Sequence, residues 1–247
     1  MVKMFQRCAS LVLIGSFLVA VFPVQAAVEF ASSEILRPIL ERMLGQPPVM
    51  RMDVVPDVYE GGYARISVYA QGAAVGGMRI DEMWIRLVGA SFDPEELRRG
   101  TLKLLQVRDS GLFGRLNLNS IETFLKEQGT MKDVRLTLDE DMVIATGTLT
   151  LGGVPAQVRL KGLFQVYGEP EIYFHIHALA VNGLPVPFAV VARLEQQLNP
   201  VVDFRSWPVA FRIRSFRSTR EGFVLSSQRD FAQTCNDCGG PPLRLAP

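Results

Sequence analysis

Histidine and cysteine are scarce in this sequence, which contains two histidines and three cysteines among 247 residues. It also lacks the Gly-x-Ser-x-Gly elbow, the glycine-rich phosphate-binding loop and the His-Glu-x-x-His zinc motif. His175 and His177 would share one face of a strand and could hold one side of a metal ion. The spacing indicates no third ligand, so we interpret both as solvated residues. The sequence therefore predicts no catalytic centre, no metal and no cofactor.

Two of the cysteines form a Cys-x-x-Cys pair in the C-terminal tail. Cys235 and Cys238 have no second pair that would complete a zinc site, and they do not begin the helix of a βαβ unit as a redox motif would. An oxidising compartment would favour a disulfide between them. We predict that disulfide, with metal binding as the alternative.

Charge of neither sign is in excess, since 26 Lys and Arg oppose 25 Asp and Glu. Residues 1–26 have the pattern of a secretory signal peptide: Lys3 and Arg7, the apolar run Leu11–Val21, and small residues before Ala27. The alternative is a transmembrane anchor, for which the uncharged stretch Cys8–Ala27 is marginal against the ~20 residues of a span. We expect an exported protein, periplasmic or elsewhere in the extracytoplasmic envelope. Such a charge balance does not indicate nucleic-acid binding.

Most of the remaining chain alternates apolar and polar residues, which is typical of half-buried strands. Several runs exceed ten residues, or about 33 Å, and turn signals such as Gly152-Gly153 separate them. Hairpin connections indicate antiparallel order. We predict one α+β domain over residues 27–228, a long, curved, mainly antiparallel sheet wrapped around a few short helices. A flexible tail, 229–247, follows it. The last two strands are expected near Val209–Phe216 and Gly222–Ser227.

Three helices are predicted. The first is Ser33–Leu44, with Ser33 as its cap and Gly45 at its left-handed exit, although Pro38 weakens this prediction. The second is Ser120–Gln128, opened by a capping box of Asn119 and Glu122. The third runs from about Pro187 to Asn199. A capped turn or short helix is expected in residues 91–100.

The apolar faces of these helices have two interpretations. Helical stripes of this kind usually belong to the core, and they become a ligand-binding wall only where sheet and helices leave space between them. The candidate lipid-binding residues are Leu36, Ile39, Leu40, Met43, Phe124, Leu125, Phe188, Val191 and Leu194.

A locally basic run, Phe211–Arg220, contains four arginines and no acid. Arg212, Arg214 and Arg217 are candidates for contact with lipid headgroups or a membrane, because anionic lipids attract such patches. The alternative is the solvated face of an edge strand, where arginine discourages pairing between sheets.

Four segments together resemble a known family. They are Gly77–Met83, Val88–Pro94, Val181–Pro187 and Leu198–Asp203. In this order, after a signal-like segment and a helix, they are similar to the LmeA-like family of exported bacterial phospholipid-binding proteins. The likeness covers roughly residues 31–227.

The resemblance implies binding of phospholipid or a related lipid in an apolar groove, for carriage or envelope lipid maintenance, without catalysis. It also implies a tubular lipid-binding fold, while the basic run Phe211–Arg220 leads us to expect peripheral membrane contact. The alternative is an envelope adaptor with a filled core, whose sheet edge pairs with a partner. An exported hydrolase is a third class, for which no nucleophile–base set is visible. The oligomeric state is not specified by the sequence.

Overall fold

The computed structural model describes residues 24–228, apart from 76–77, 128–131, 152–153, 169 and 206. Two open antiparallel sheets and four helices make up this part of the chain. The helices are α1 (Val24–Met43), α2 (Pro94–Arg98), α3 (Leu118–Glu127) and α4 (Phe188–Leu198). The strands are β1 (Val49–Pro56), β2 (Gly62–Val75), β3 (Met78–Phe92), β4 (Leu104–Gln106), β5 (Asp109–Asn117), β6 (Lys132–Asp139), β7 (Met142–Leu151), β8 (Val154–Tyr167), β9 (Glu171–Val181), β10 (Leu184–Pro185), β11 (Val202–Asp203), β12 (Ser215–Ser218) and β13 (Gly222–Ser226).

The first sheet has seven strands in the order β1-β2-β3-β5-β13-β12, with β4 paired to β3. Its two longest strands, β2 and β3, contain 14 and 15 residues and pair in a single register that sets Ile66 opposite Leu87. Gly72 and Gly89 adopt positive φ angles of 69° and 58° within these strands. Left-handed glycines interrupt the extended conformation and bend a strand. The predicted curvature therefore has a local cause in these two residues.

The second sheet has six strands in the order β10-β9-β8-β7-β6, with β11 paired to β9. Strands β6 to β9 follow one another through hairpins, as the alternating pattern predicts. The α+β class with long antiparallel strands is therefore confirmed. The strands divide over two sheets because β5 pairs with β13, so that β6 begins a separate ladder.

Helix α3 and a group of four phenylalanines join the two sheets. The helix packs against β3 and β5 of the first sheet and against β6 of the second. The ring centroid of Phe164 on β8 lies 5.0–5.2 Å from those of Phe216 and Phe223, which belong to the first sheet, and 4.9 Å from that of Phe174 on β9, in tilted or edge-to-face arrangements. Aromatic pairs at such distances add to the burial of their surfaces. The buried side chains of both sheets consequently form one continuous core.

Helix α1 begins earlier than the sequence predicts. Residue Ser33 lies inside the helix, which extends back to Val24, so Ser33 is not its N-cap. Pro38 also lies inside this helix. The C-terminal prediction is confirmed, because Gly45 has a φ of 68° and the helix ends there. The carbonyl of Leu44 accepts a hydrogen bond from the backbone N–H of Ala74 at 2.8 Å, which fixes the helix end to β2.

The capping box predicted for α3 is wrong. The helix begins at Leu118, which leaves Asn119 within it, and the Glu122 carboxylate accepts a hydrogen bond from the backbone N–H of Leu136 on β6. The start of the helix is held by Asp81 of β3, whose two oxygens accept from Asn117 N and Ser120 Oγ, each at 2.6 Å. A strand residue distant in sequence thus performs the capping role.

Two other expectations about local structure are corrected or refined. The strand expected over Val209–Phe216 is confined to Ser215–Ser218, and the segment before it packs as irregular chain with Val209, Phe211 and Ile213 buried. Residues 91–100 form the predicted capped helix, in which Asp93 accepts from the N–H groups of Glu95 and Glu96.

Helix α4 closes the outer edge of β9. Glu195 accepts from the backbone N–H of Ile176 at 2.5 Å, and the Asn199 side chain accepts from Phe174 N and donates to Phe174 O. Strands β10 and β11 pair with the two ends of the same edge. Side chains and short strands therefore occupy an edge that would otherwise be open to another chain.

Several predictions lie outside the described residues. The signal peptide lies there up to residue 23, and so do Cys235 and Cys238. Among the described helices, none has both the length and the apolar character that crossing a membrane requires.

Candidate functional site

The C-terminal half of α1 rests on one face of the first sheet. Leu36 and Leu40 are buried against Ile66 and Val68 of β2 and against neighbouring side chains of β3. The cavity between them measures about 20 Å³. A space of this size holds about one water molecule, too little for an acyl chain. Leu36 and Leu40, both predicted lipid-binding residues, therefore form filled core.

Beside this core, an open groove of about 450 Å³ runs along the outer flank of α1. Ile39, Arg42 and Met43 of the helix form one wall, because spacings of three and four residues place them on one face. The segment Gly100–Leu102, between α2 and β4, forms the other wall, and Pro208 closes one side. The predicted residues Ile39 and Met43 thus border a space, unlike their neighbours Leu36 and Leu40.

Arg42 stands at the rim of this groove. Its Nη2 donates to the carbonyl of Gly100 at 2.8 Å and its Nε donates to Pro38 O at 3.4 Å. A guanidinium carries five N–H donors, so further donors remain available to a bound anion. Gly100 has a φ of 78°, and a Cβ there would lie 2.9 Å from Nη2 of Arg42. The glycine therefore permits the close contact between loop and helix that shapes the rim.

The groove combines an apolar floor with a single cation, which is the arrangement that an amphiphile with an anionic headgroup needs. Glu95 and Glu96 of α2 form ion pairs with Arg99, the residue that follows this helix, and Glu41 of α1 forms one with Arg37. Asp93 accepts a hydrogen bond from the Lys103 ammonium, which lowers the pKa of that carboxyl and keeps it ionised. The carboxylates near the groove are thus already paired.

The remaining predicted lipid-binding residues do not join this groove. Phe124 and Leu125 of α3 are half-buried between the two sheets. Val191 is buried and Leu194 half-buried where α4 packs on β9 of the second sheet, whereas Phe188 is 83% exposed at the start of that helix. Helices α1 and α4 therefore pack on different sheets. The predicted lipid-binding residues accordingly lie in three separate places, on α1, on α3 and on α4.

The predicted headgroup residues Arg212, Arg214 and Arg217 are all exposed. Arg217 lies on β12, the edge strand of the first sheet. The neighbouring Ser218 hydroxyl donates to the carboxylate of Asp141 in the turn between β6 and β7. Arg217 therefore lies on a strand that contacts an acidic turn.

The two histidines lie on β9, where His177 is exposed and His175 Nδ1 lies 4.0 Å from Glu195 Oε1. Within the part of the chain that the structure describes, no three His, Cys, Asp or Glu residues are grouped in a way that would hold a metal ion.

Sequence reasoning missed five residues of the groove: Arg42, Gly100, Thr101, Leu102 and Pro208. They come from three separate segments, and no local pattern links them. The one available signal was an arginine in the last turn of α1, directly beside the apolar stripe that contains Ile39 and Met43.

Comparison with known proteins gives one match. Residues 52–228 match the model of a family described as LmeA-like phospholipid-binding. Neither the curated proteins nor the solved structures contain a match to this chain. The family match covers most of both sheets, and the chain therefore belongs to the LmeA-like phospholipid-binding family.

Proposed function

We propose that this protein is an exported, non-catalytic carrier that holds a phospholipid in the groove beside α1. An acyl chain would lie against Ile39, Met43 and Leu102, and the lipid phosphate would meet Arg42. The single observation that carries this proposal is the combination of an apolar groove with a guanidinium at its rim.

The size of the groove supports a surface-bound acyl chain. Its volume of about 450 Å³ lies within the range of ligand pockets. Each methylene removed from water contributes about 0.8 kcal/mol, so several methylenes suffice for useful affinity. Because the core under α1 is filled, the lipid would lie along the protein instead of being enclosed by it.

We propose a non-catalytic role because the residues of the groove walls do not include a set of groups that could carry out a reaction. Among the residues that line it, Thr101 supplies the one hydroxyl, and the lining contains no acid or imidazole that would act as a base. Export is proposed from residues 1–26, with cleavage before Ala27 leaving most of α1 in the mature chain.

The test is lipid extraction from the purified protein, with quantification by mass spectrometry. Thr101→Trp places a large side chain over the groove at an exposed position whose backbone N–H bond to Glu96 O survives the change. We expect its lipid content to fall about tenfold, since the occupied groove no longer buries an acyl chain. Thr137→Trp, at an exposed position on β6, is the matched control and should retain the lipid.

The outcomes separate the proposed function from the adaptor alternative. A wild-type protein that carries no phospholipid, and takes none up from vesicles, contradicts lipid carriage. Equal lipid loading of both tryptophan variants contradicts the groove as the binding site. Hydrolysis products that appear on incubation with phospholipid contradict the absence of catalysis. The intact mass of the exported protein reports the cleavage position.

A further inference from the structure

One end of the second sheet carries four exposed, large apolar side chains. Val154 is 64% exposed, Leu184 72%, Phe188 83% and Val190 53%. We refer to these four residues as the apolar end. Exposed apolar groups usually occur singly on protein surfaces, and a concentration of them marks a site of interaction.

The topology brings these residues to the same end of the sheet. Strand β9 pairs with β8 so that Val181 lies opposite Val158, and Asn182 exchanges two hydrogen bonds with Gln157. The start of β8, at Val154, therefore lies beside the turn that leads from β9 into β10. Leu184 belongs to β10, and α4, with Phe188 and Val190, begins directly after it.

Charge at this end is basic. Residues 142–168 and 172–194 contain no Asp or Glu, whereas Arg159 and Arg193 are present and exposed. The acid nearest along the chain is Glu195, five residues after Val190 on α4, and its carboxylate accepts a hydrogen bond from the backbone N–H of Ile176. A surface of this kind is complementary to anionic lipid headgroups.

A second exposed apolar pair in the same chain provides a contrast. Val58 and Tyr59, in the loop between β1 and β2, are 87% and 76% exposed. Asp57 and Glu60 flank them directly, and anionic headgroups would repel this loop. The exposure of apolar side chains therefore does not distinguish the apolar end from the loop between β1 and β2. The charge of the neighbouring side chains does, because it is basic at the apolar end and acidic in the loop.

We propose that the apolar end inserts into the headgroup region of an anionic bilayer and is the surface by which the protein docks on the membrane. The proposal rests on the proposed lipid-carrying function, for which the membrane is source and acceptor. The burial of Leu184 and Phe188 among headgroups and upper acyl chains supplies the affinity, and Arg159 and Arg193 orient the protein toward the anionic surface.

Sedimentation with vesicles of phosphatidylcholine and phosphatidylglycerol tests this docking. We expect the double variant Leu184→Ser/Phe188→Ser to lose about tenfold in partitioning. The matched control, Val58→Ser/Tyr59→Ser, should partition as the wild type does. Both pairs are exposed, so neither change removes core packing. Circular dichroism verifies the fold of each.

A second measurement reports insertion directly. Phe188→Trp should be quenched by brominated phospholipids, whereas Tyr59→Trp should not be. The native tryptophans add little to this signal, because Trp84 is buried and Trp207 is packed against the core.

Four results would overturn the docking proposal: equal partitioning of the two double variants, quenching at position 59 alone, binding that is unchanged on pure phosphatidylcholine, or loss of binding only in Arg214→Gln/Arg217→Gln. The lipid content of each purified variant separates this failure from failure of the proposed function. If the wild-type protein carries lipid and the Leu184→Ser/Phe188→Ser variant still binds vesicles, the docking surface is refuted and lipid carriage is not. Wild-type protein without lipid refutes carriage.

Discussion

Replacement of Asp81 by alanine removes both hydrogen bonds that hold the start of α3 on the first sheet. Asp81 Oδ2 accepts from Asn117 N and Oδ1 accepts from Ser120 Oγ, each at 2.6 Å. The alanine variant leaves the N–H of Asn117 without this acceptor and removes a negative charge from the positive end of the helix dipole. Because α3 contacts both sheets, the loss affects the joint between them.

The magnitude follows from the number and type of these contacts. A hydrogen bond to an ionised group contributes about 1.5–3 kcal/mol, and an aspartate cap about 1 kcal/mol. Both bonds depend on one carboxylate and serve one helix end, so the contributions are not additive. We expect the free energy of unfolding to fall by about 2–3 kcal/mol. In a domain of this size, such a loss lowers the Tm by roughly 5–10 °C.

Urea denaturation followed by circular dichroism measures this change. Asp53→Ala is the matched control, since Asp53 is also a strand aspartate but pairs with Arg65 at the surface, where such ion pairs contribute about 0–1 kcal/mol. A double-mutant cycle with Ser120→Ala isolates the bond to the hydroxyl. If Asp81→Ala costs no more than Asp53→Ala, or if the cycle gives no coupling, the capping role is refuted.

Two further changes test the groove and the packing of the second sheet. Arg42→Gln should weaken binding of anionic phospholipid about tenfold, because a charge-assisted contact is lost. Arg37→Gln, on the same helix but away from the groove, should leave this binding unchanged. Titration with lipid measures both affinities, and equal titration curves would contradict the role of Arg42 at the rim. Gly162→Ala should cost about 1–3 kcal/mol in denaturant unfolding, because its Cβ would lie 2.4 Å from the carbonyl oxygen of His175. Gly114→Ala should cost less, because its Cβ would meet side chains and no backbone atom, namely Leu225 at 3.1 Å and Ile80 at 3.4 Å. The reverse order would contradict the steric argument.

The strands and the ends of helices were readable where local chemistry determines them. The hairpins from β6 to β9 follow from strict alternation and from Gly- and Asp-containing turns, since each hairpin pairs neighbouring segments. Gly45 and the α4 helix were predictable for a similar reason, because their signals lie within a few residues. The family resemblance is likewise confirmed, over residues 52–228.

What the sequence could not reveal depends on contacts between distant segments. Asn119 and Glu122 fit a capping box, but Asp81, more than thirty residues earlier, occupies that role and Glu122 bonds to β6 instead. The division into two sheets depends on β5 selecting β13 as its neighbour. The groove shows the same limit, because Leu36 and Ile39 belong to one helical stripe, yet only Ile39 borders open space.

The pairing of β5 with β13 has a consequence for how the chain reaches its native state. The entire second sheet lies between these two strands in sequence, so the first sheet is completed by residues that leave the ribosome long after its other members. Consecutive hairpins of the second sheet can form early, because their partners are adjacent, whereas closure of β5 by β13 needs a contact of long sequence separation. Until that closure, β5 presents an unpaired edge with Leu112 and Leu116, a template for aggregation. The last strand of the described chain therefore covers this edge only after nearly all of the described chain has been synthesised.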